Sequence, residues 1–381
     1  MRFAAALSEH PLATQAVGEV VGQVLESLDA APDIAMVFVS RSHGGAIEDI
    51  ARVVRRLLNP RVLVGATAAG VLGGGQEIEG GAAISLWAAR FGVDVEPVRL
   101  EAIPTAEHLL VAGGAALQAD EGTLLLLADP FSFAMDQVID HLRVVAPGVT
   151  MVGGMASGAL GPGGNTLVLD DERFTTGAVG VWLPDTVDVR AAVSQGCRPI
   201  GEPFVVTRAE RNVLYEIGGR SAVERINELV ESSTDAEKRL MAAGLHIGRV
   251  IDEARLEHGR GDFLVRSVLG ADRSVGAVAI DDEIPVGATV QFQVRDAASA
   301  HEDLVSRLRE LHEGGVAGAL AFNCTTRGRG LFDGPDHDAG LIVEMLGGAV
   351  AGMMCAGEIG PVGGRTLVHT QSVALAIFGD G

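Results

Sequence analysis

One short glycine-rich stretch recurs at three widely separated places in the chain, and any fold must accommodate all three. They read VGATAAGVLGGG (64–75), VGGMASGALGPGG (152–164) and GMMCAGEIGPVGG (352–364). Each carries a glycine, a variable residue, an aliphatic residue and a second glycine: Gly70, Leu72 and Gly73; Gly158, Leu160 and Gly161; Gly357, Ile359 and Gly360. Taken alone, Gly70–Gly75 resembles a phosphate cradle. Such a cradle must open a helix, whose first N–H groups receive the phosphate. These stretches instead lead into AAISLWAA, NTLVLD and RTLVHTQSVALAIF, which have strand-like apolar patterning. A Walker loop also needs a lysine after its glycines. The chain has Lys238 alone, inside the polar run ESSTDAEKRL. The glycines therefore read as tight connections between strands. The setting of Lys238 also removes Schiff-base chemistry.

The surroundings of the loop repeat as well. The first copy runs from strand RFAAALS to a helix over about His10–Leu28. Strand IAMVFVS, helix AIEDIARVVRRLL and strand RVLVGAT follow. The second copy reads strand DVEPVRLEA, helix TAEHLLVAGGAALQ, strand TLLLLAD, helix SFAMDQVIDHLRVV and strand VTMVGGMA. The last reads strand ATVQFQVRD, helix SAHEDLVSRLRELHE, strand VAGALAFNC, helix DHDAGLIVEMLGG and strand AVAGMMCA. Residues 190–282 read as a degenerate fourth copy, with helix SAVERINELVES and strands RLMAAGLHIG, FLVRSVLG and SVGAVAI. A period of roughly ninety residues points to internal repetition. The expected class is α/β: layered mixed sheets with helices, in about four β-α-β-α-β-β units grouped in two halves, 1–183 and 184–381.

Composition narrows the function. A net charge of −21 disfavours nucleic acid and anionic membrane surfaces. Aromatic residues make up 4% of the chain, too few for broad base-stacking platforms. The cysteines are Cys197, Cys324 and Cys355, with no CxxC, which fits a reducing, cytoplasmic setting better than a disulfide framework. No HExxH or other zinc spacing appears, so no metal or cofactor is expected. The N-terminal apolar run is too short for a secretory signal. The longest uncharged run, VVAPGVTMVGGMASGALGPGGNTLVL, is broken by prolines and glycines and does not read as a membrane helix.

Several of these motifs, in order and over nearly the whole chain, resemble FIST proteins (F-box and intracellular signal transduction). In the N-terminal part the carriers are VFVSRSHGG and VGATAAGVLGGG…GAAISLW. SQGCRPIGEPFVVTRAERNVLYEIGGRSAVERI resembles the family's junction. In the C-terminal part they are FLVRSVLG, VQFQVRDA, FNCTTRGRGLF and GMMCAGEIGPVGG. The resemblance implies a sensory module for small ligands, amino acids or related metabolites, whose signal passes to an effector or a protein partner. A Cys before the glycine loop and a Glu inside it recur in the family pattern. Here the last copy alone has both, Cys355 and Glu358; the first has Ala66 and Val71.

The candidate ligand residues are Arg266, Arg295, Asp296, Asn323, Cys324, Arg327, Cys355 and Glu358. Arg327 offers paired donors suited to a carboxylate, and Glu358 would receive an ammonium or hydroxyl. Asp296 also reads as a helix cap, and Arg266 interrupts an apolar strand as either an outward or a paired charge. Ser42 and Asp129 read as caps in the equivalent loops of the first two copies. The expectation is a stand-alone intracellular sensor of an amino acid or related small anionic metabolite, with no catalytic residue. The alternatives are a cysteine-dependent enzyme, with Cys324 or Cys355 and His337 or His369 as base, and a protein-binding scaffold.

Overall fold

A computed structural model describes residues 1–105, 109–113, 121–255 and 257–379. They form two compact units. Unit 1 holds Met1–Val193, Val305–Val368 and Ser372–Gly381; unit 2 holds Ser194–Leu304 and His369–Gln371.

Unit 1 contains the three loop-bearing copies. The first comprises β1 (Arg2–Ser8), α1 (Ala13–Ser27), β2 (Ile34–Ser40), α2 (Ile47–Leu58), β3 (Val62–Ala68), the hairpin β4 (Val71–Gly73) and β5 (Gln76–Ile78), and β6 (Ile84–Arg90). The second comprises β7 (Glu96–Pro104), β8 (Leu109–Ala112), β9 (Glu121–Ala128), α3 (Met135–Val145), β10 (Gly148–Met155), the hairpin β11 (Leu167–Leu169) and β12 (Glu172–Phe174), and β13 (Ala178–Leu183). The expected helix over 105–118 is corrected where it is described: residues 109–112 pair antiparallel with β7. Residues 106–108 and 114–118 lie outside the described residues.

β14 (Val189–Gln195) then leads into unit 2. Its strands are β15 (Cys197–Pro199), β16 (Phe204–Glu210), β17 (Val213–Ile217), β18 (Arg220–Ser221), β19 (Leu245–Val250), β20 (Phe263–Asp272), β21 (Ala277–Ile280) and β22 (Thr289–Arg295). They form one sheet whose described ladders are antiparallel. This stretch departs furthest from the repeat pattern. Its helices are α4 (Ala222–Ser232) and α5 (Asp235–Ala243), and each starts at a capping box, Ser221 with Glu224 and Thr234 with Glu237. The expected strand over RLMAAGLHIG thus begins late, at Leu245, because Thr234–Glu237 nucleates a helix first. Strand β22 pairs with β15, β16 and β19. It therefore does not open the last copy's sheet; β14 takes that place.

The chain continues with α6 (Ala297–His312), β23 (Gly318–Cys324), α7 (His337–Leu346), β24 (Ala349–Cys355), the hairpin β25 (Glu358–Val362) and β26 (Arg365–His369), and β27 (Ser372–Phe378). The three sheets of unit 1 have one topology. In each, two central strands are parallel: β2 with β3, β9 with β10, β23 with β24. The last strand of the copy lies antiparallel beside the first of these, and the copy's opening strand lies outside it. The far side is filled by the hairpin of another copy. Hairpin β11–β12 of the second copy joins β3 of the first, β25–β26 of the third joins β10 of the second, and β4–β5 of the first joins β24 of the third. The exchange is cyclic.

Burial explains the apolar runs. Strands β2, β3, β23 and β27 are buried along their whole length, as expected of strands covered on both faces. One face of β2, with Met36 and Phe38, joins Leu125, Leu127, Leu320 and Phe322 in a core shared by the three copies. Its other face, with Val37 and Val39, packs against α1 and α2. Helix α2 supplies Ile47, Ile50, Ala51, Val54 and Leu58, a stripe at helical spacing. It stops at Asn59, whose φ of 48° closes the helix in the left-handed region.

Each third strand carries a glycine at the same place: Gly65, Gly153 and Gly352, opposite Val37, Leu126 and Ala321. A Cβ there would lie 2.8, 1.9 and 1.8 Å from the facing carbonyl oxygen. Backbone cannot rotate away as a side chain can. Gly352→Ala is therefore expected to cost about 3 kcal/mol or more, whereas Gly45→Ala, whose Cβ meets nothing within 4 Å, should change stability by less than about 1 kcal/mol. Urea unfolding of the two variants checks this.

Candidate functional site

The ends of the parallel strands are where polar side chains gather in a sheet of this kind. The same strand-end position holds Ser40, Asp129 and Cys324 in the three copies. Ser40 Oγ accepts the Ala83 N–H at 2.8 Å. Asp129 accepts from Ser132 Oγ at 2.6 Å and Asn165 Nδ2 at 2.9 Å. The caps expected at Ser42 and Asp129 are absent: α2 and α3 are preceded by Ala46 and Ala134, without a side-chain cap.

The third copy differs, because a buried ion pair stands beside its strand ends. The backbone of Arg327 donates to the Cys324 carbonyl at 3.0 Å, turning the chain sharply after β23. The guanidinium then donates from Nε to Asp338 Oδ2 at 2.6 Å and from Nη2 to Asp338 Oδ1 at 2.9 Å. Arg327 and Asp338 are each 1% exposed. Asp338 sits in the first turn of α7, where the helix favours a negative charge. His337 Nδ1 lies 2.9 Å from Asp338 Oδ1, and the His337 ring stacks on Phe332 at 3.5 Å.

The exchanged hairpin of the first copy closes this group. Glu77 Oε1 accepts the Ala339 N–H at 3.0 Å and lies 3.4 Å from Asn323 Nδ2. The Glu77 N–H donates to Asp336 Oδ1 at 2.7 Å. Glu79 Oε1 accepts the Arg329 N–H at 2.9 Å. Gly328, at φ 58°, lets this contact form, since a Cβ would lie 2.5 Å from Glu79 Oε1. On the neighbouring strand, Cys355 is the register partner of Cys324. Glu358 follows at the start of β25, and its Oε2 accepts from Ser372 Oγ at 2.7 Å.

Five of the expected residues, Asn323, Cys324, Arg327, Cys355 and Glu358, thus lie together in unit 1. Arg266, Arg295 and Asp296 belong to unit 2. Arg266 is buried with its Nε on Asp282 Oδ2 at 2.6 Å. Asp296 accepts the Ala298 and Ser299 N–H groups at the start of α6, as a cap does, and pairs with Arg198 Nε at 2.6 Å. Arg295 lies opposite Cys197 in the β15–β22 ladder. Glu77, Asp338 and Ser372 are members that sequence reasoning missed. For Glu77 the sequence offers little trace: it stands in the short run QEI between polar Gln76 and apolar Ile78.

Four buried atoms of this nest lack a hydrogen-bond partner: Glu77 Oε2, Asn323 Oδ1, Arg327 Nη1 and Glu358 Oε1. Buried polar atoms are normally satisfied, so a concentration of orphans points to something else that meets them. Among the described residues no set of three or more His, Cys, Asp or Glu side chains could hold a metal ion.

The titration of the nest follows from its burial. Burial first, then the Asp338 charge, pushes the Glu77 carboxyl up to about 7. Burial likewise raises Glu358, against the opposing bonds from Ser372. Burial would raise Asp338 too, but the Arg327 guanidinium holds it well below the usual carboxylate range. The Cys355 thiol is pushed up by burial and then by Glu358. A carboxyl raised in the folded state favours the protonated form. Its contribution is complete below the unfolded value and is lost as pH rises through the folded one. Stability is therefore expected to fall between about pH 5 and about pH 8, by roughly 3 kcal/mol from Glu77. Glu77→Gln should remove that share of the slope, and urea midpoints across this range measure it. An unchanged slope would contradict the assignment.

The chain matches two family models, the FIST N domain over residues 33–220 and the FIST C domain over residues 222–361. An uncharacterized protein of Mycobacterium bovis is 40% identical over 385 residues, covering 100% of this chain and 99% of the relative. An uncharacterized protein of Mycobacterium tuberculosis is likewise 40% identical over 385 residues and is covered in full, as is this chain. No helix among the described residues is long and apolar enough to cross a membrane. The chain belongs to the FIST family, whose domains generally serve signal transduction as sensory domains.

Proposed function

We propose that this protein is a cytoplasmic sensor that binds a small amino-acid-like metabolite at the strand ends of the third copy and passes the signal to a protein effector. The observation that carries this reading is the set of four orphaned polar atoms in the nest, one on a cation and two on carboxyl groups. An amino acid presents the complementary set. Its carboxylate suits Arg327 Nη1, and its ammonium suits Glu358 Oε1 and Glu77 Oε2, with Asn323 beside them. Cys324 and Cys355 line the nest as small thiols. Arg266 and Asp296, already ion-paired in unit 2, act in this reading as scaffold.

The Arg327 fork is engaged by Asp338 through Nε and Nη2, so its part in recognition falls to the remaining nitrogen, Nη1. That favours a zwitterion over a ligand with negative charge alone. A thiol-dependent enzyme is the weaker reading, because the Cys355 thiol is pushed above its ordinary value by burial, whereas a nucleophilic cysteine needs the opposite shift.

Native mass spectrometry of gently purified protein tests the proposal. The wild-type chain should carry a small-molecule adduct, and Glu358→Gln should lose it through a tenfold or larger drop in affinity, about 1.5–3 kcal/mol for a charge-assisted contact. Cys324→Ser should keep the adduct unchanged in mass. Chemical conversion of the carried molecule that stops in Cys324→Ser would favour the enzyme instead.

A further inference from the structure

The nest holds more acid than base. Glu77, Asp338 and Glu358 bring three carboxyl groups to one guanidinium, Arg327, and two of its nitrogens are engaged by Asp338. Setting that pair aside as neutral leaves Glu77 and Glu358 without a cation of their own. Both are withdrawn from solvent, at 5% and 0% exposure, and each keeps one buried oxygen without a partner. Around Glu77 stand Asp338, Glu79, Arg327 and Asn323. Around Glu358 stand Cys324, Cys355, Arg327 and Ser372. His337 joins through its bond to Asp338.

Resting on the ligand-binding reading above, we infer that the nest selects ligands bearing an organic cation, a primary ammonium or amidinium, whose charge is met by Glu77 and Glu358, and rejects ligands whose only charge is negative. A dicarboxylate placed here would meet two carboxyl groups, with Nη1 as the one guanidinium nitrogen left to offset them. As the pH rises and Glu77 and Glu358 ionise, like charges at close range inside protein repel strongly. A cation has the opposite fate, since it supplies what the two surplus carboxyl groups lack. Until it arrives, protons neutralise these groups, which is the direction in which burial shifts both. Binding thus exchanges protons on Glu77 and Glu358 for the ligand's cationic group. Asp338 stays ionised and Arg327 stays charged throughout, so these two do not take part in the exchange.

Calorimetry on the full chain tests this with putrescine, agmatine and L-lysine as cationic probes. Glutarate and succinate serve as anionic probes, and 1,4-butanediol as the uncharged shape control. At least one cationic probe should bind, with affinity rising tenfold or more between about pH 6 and about pH 8. Glu358→Gln should weaken it at least tenfold and flatten the pH dependence, while Glu77→Gln should flatten it in part. Dicarboxylates and the diol should give no heat. Binding of a dicarboxylate in preference to the amines would overturn the charge selection and leave the ligand-binding reading intact. The same holds for amine binding that is indifferent to pH and to both variants. Failure of every probe, together with no carried molecule in the native mass spectrum, would bring down both.

Discussion

The β4–β5 hairpin of the first copy pairs with β24 of the third, and the polar nest exists because of that pairing. Without the exchanged hairpin, Arg327 and Asp338 would have no Glu77 beside them, and the loop after β23 would lose its tie to Glu79. The exchange is sustained at the strand ends by Ser157 of the second copy. Its Oγ accepts the Ala69 N–H of the first copy at 2.8 Å and donates to the Met354 carbonyl of the third. Three copies that each leave one sheet edge open thus close one another's edges, which removes a liability for unwanted strand pairing.

The nest is costly to maintain. Burying a guanidinium and three carboxyl groups removes them from water, and a buried ion pair repays that cost only with good geometry. The two-pronged Arg327–Asp338 contact has such geometry. Glu77 and Glu358 have no equivalent partner, and their raised titration is the physical sign of it. A nest of small apolar residues would serve the fold better. Retaining carboxyl groups with unpartnered oxygens at strand ends is what a binding role would require.

Much of this architecture was legible in the chain. The glycine loop announced the repeat because a backbone turn and a close strand approach both demand glycine, at Gly352 as at Gly153. Apolar runs such as IAMVFVS announced strands covered on both faces. The cyclic exchange was not legible, because a hairpin carries no local mark of which sheet it will join. For the same reason Glu77 escaped notice: its partners Asn323 and Ala339 are more than two hundred residues away. Arg327 stood out by its chemistry, but its fork turned inward to Asp338, in α7, since a buried carboxylate eleven residues on competes better than solvent. The segment around β19 misled because LMAAGL has the apolar content of a strand while Thr234 and Glu237 start a helix before it.

The central claim is that residues from the first and third copies form one electrostatic unit. A double-mutant cycle of Glu77→Gln with Asp338→Asn, followed by urea unfolding near neutral pH, measures this most directly. The account predicts a coupling energy of about 0.5–3 kcal/mol, because each carboxyl group feels the other across the nest. Additivity of the two changes to within about 0.3 kcal/mol would contradict it.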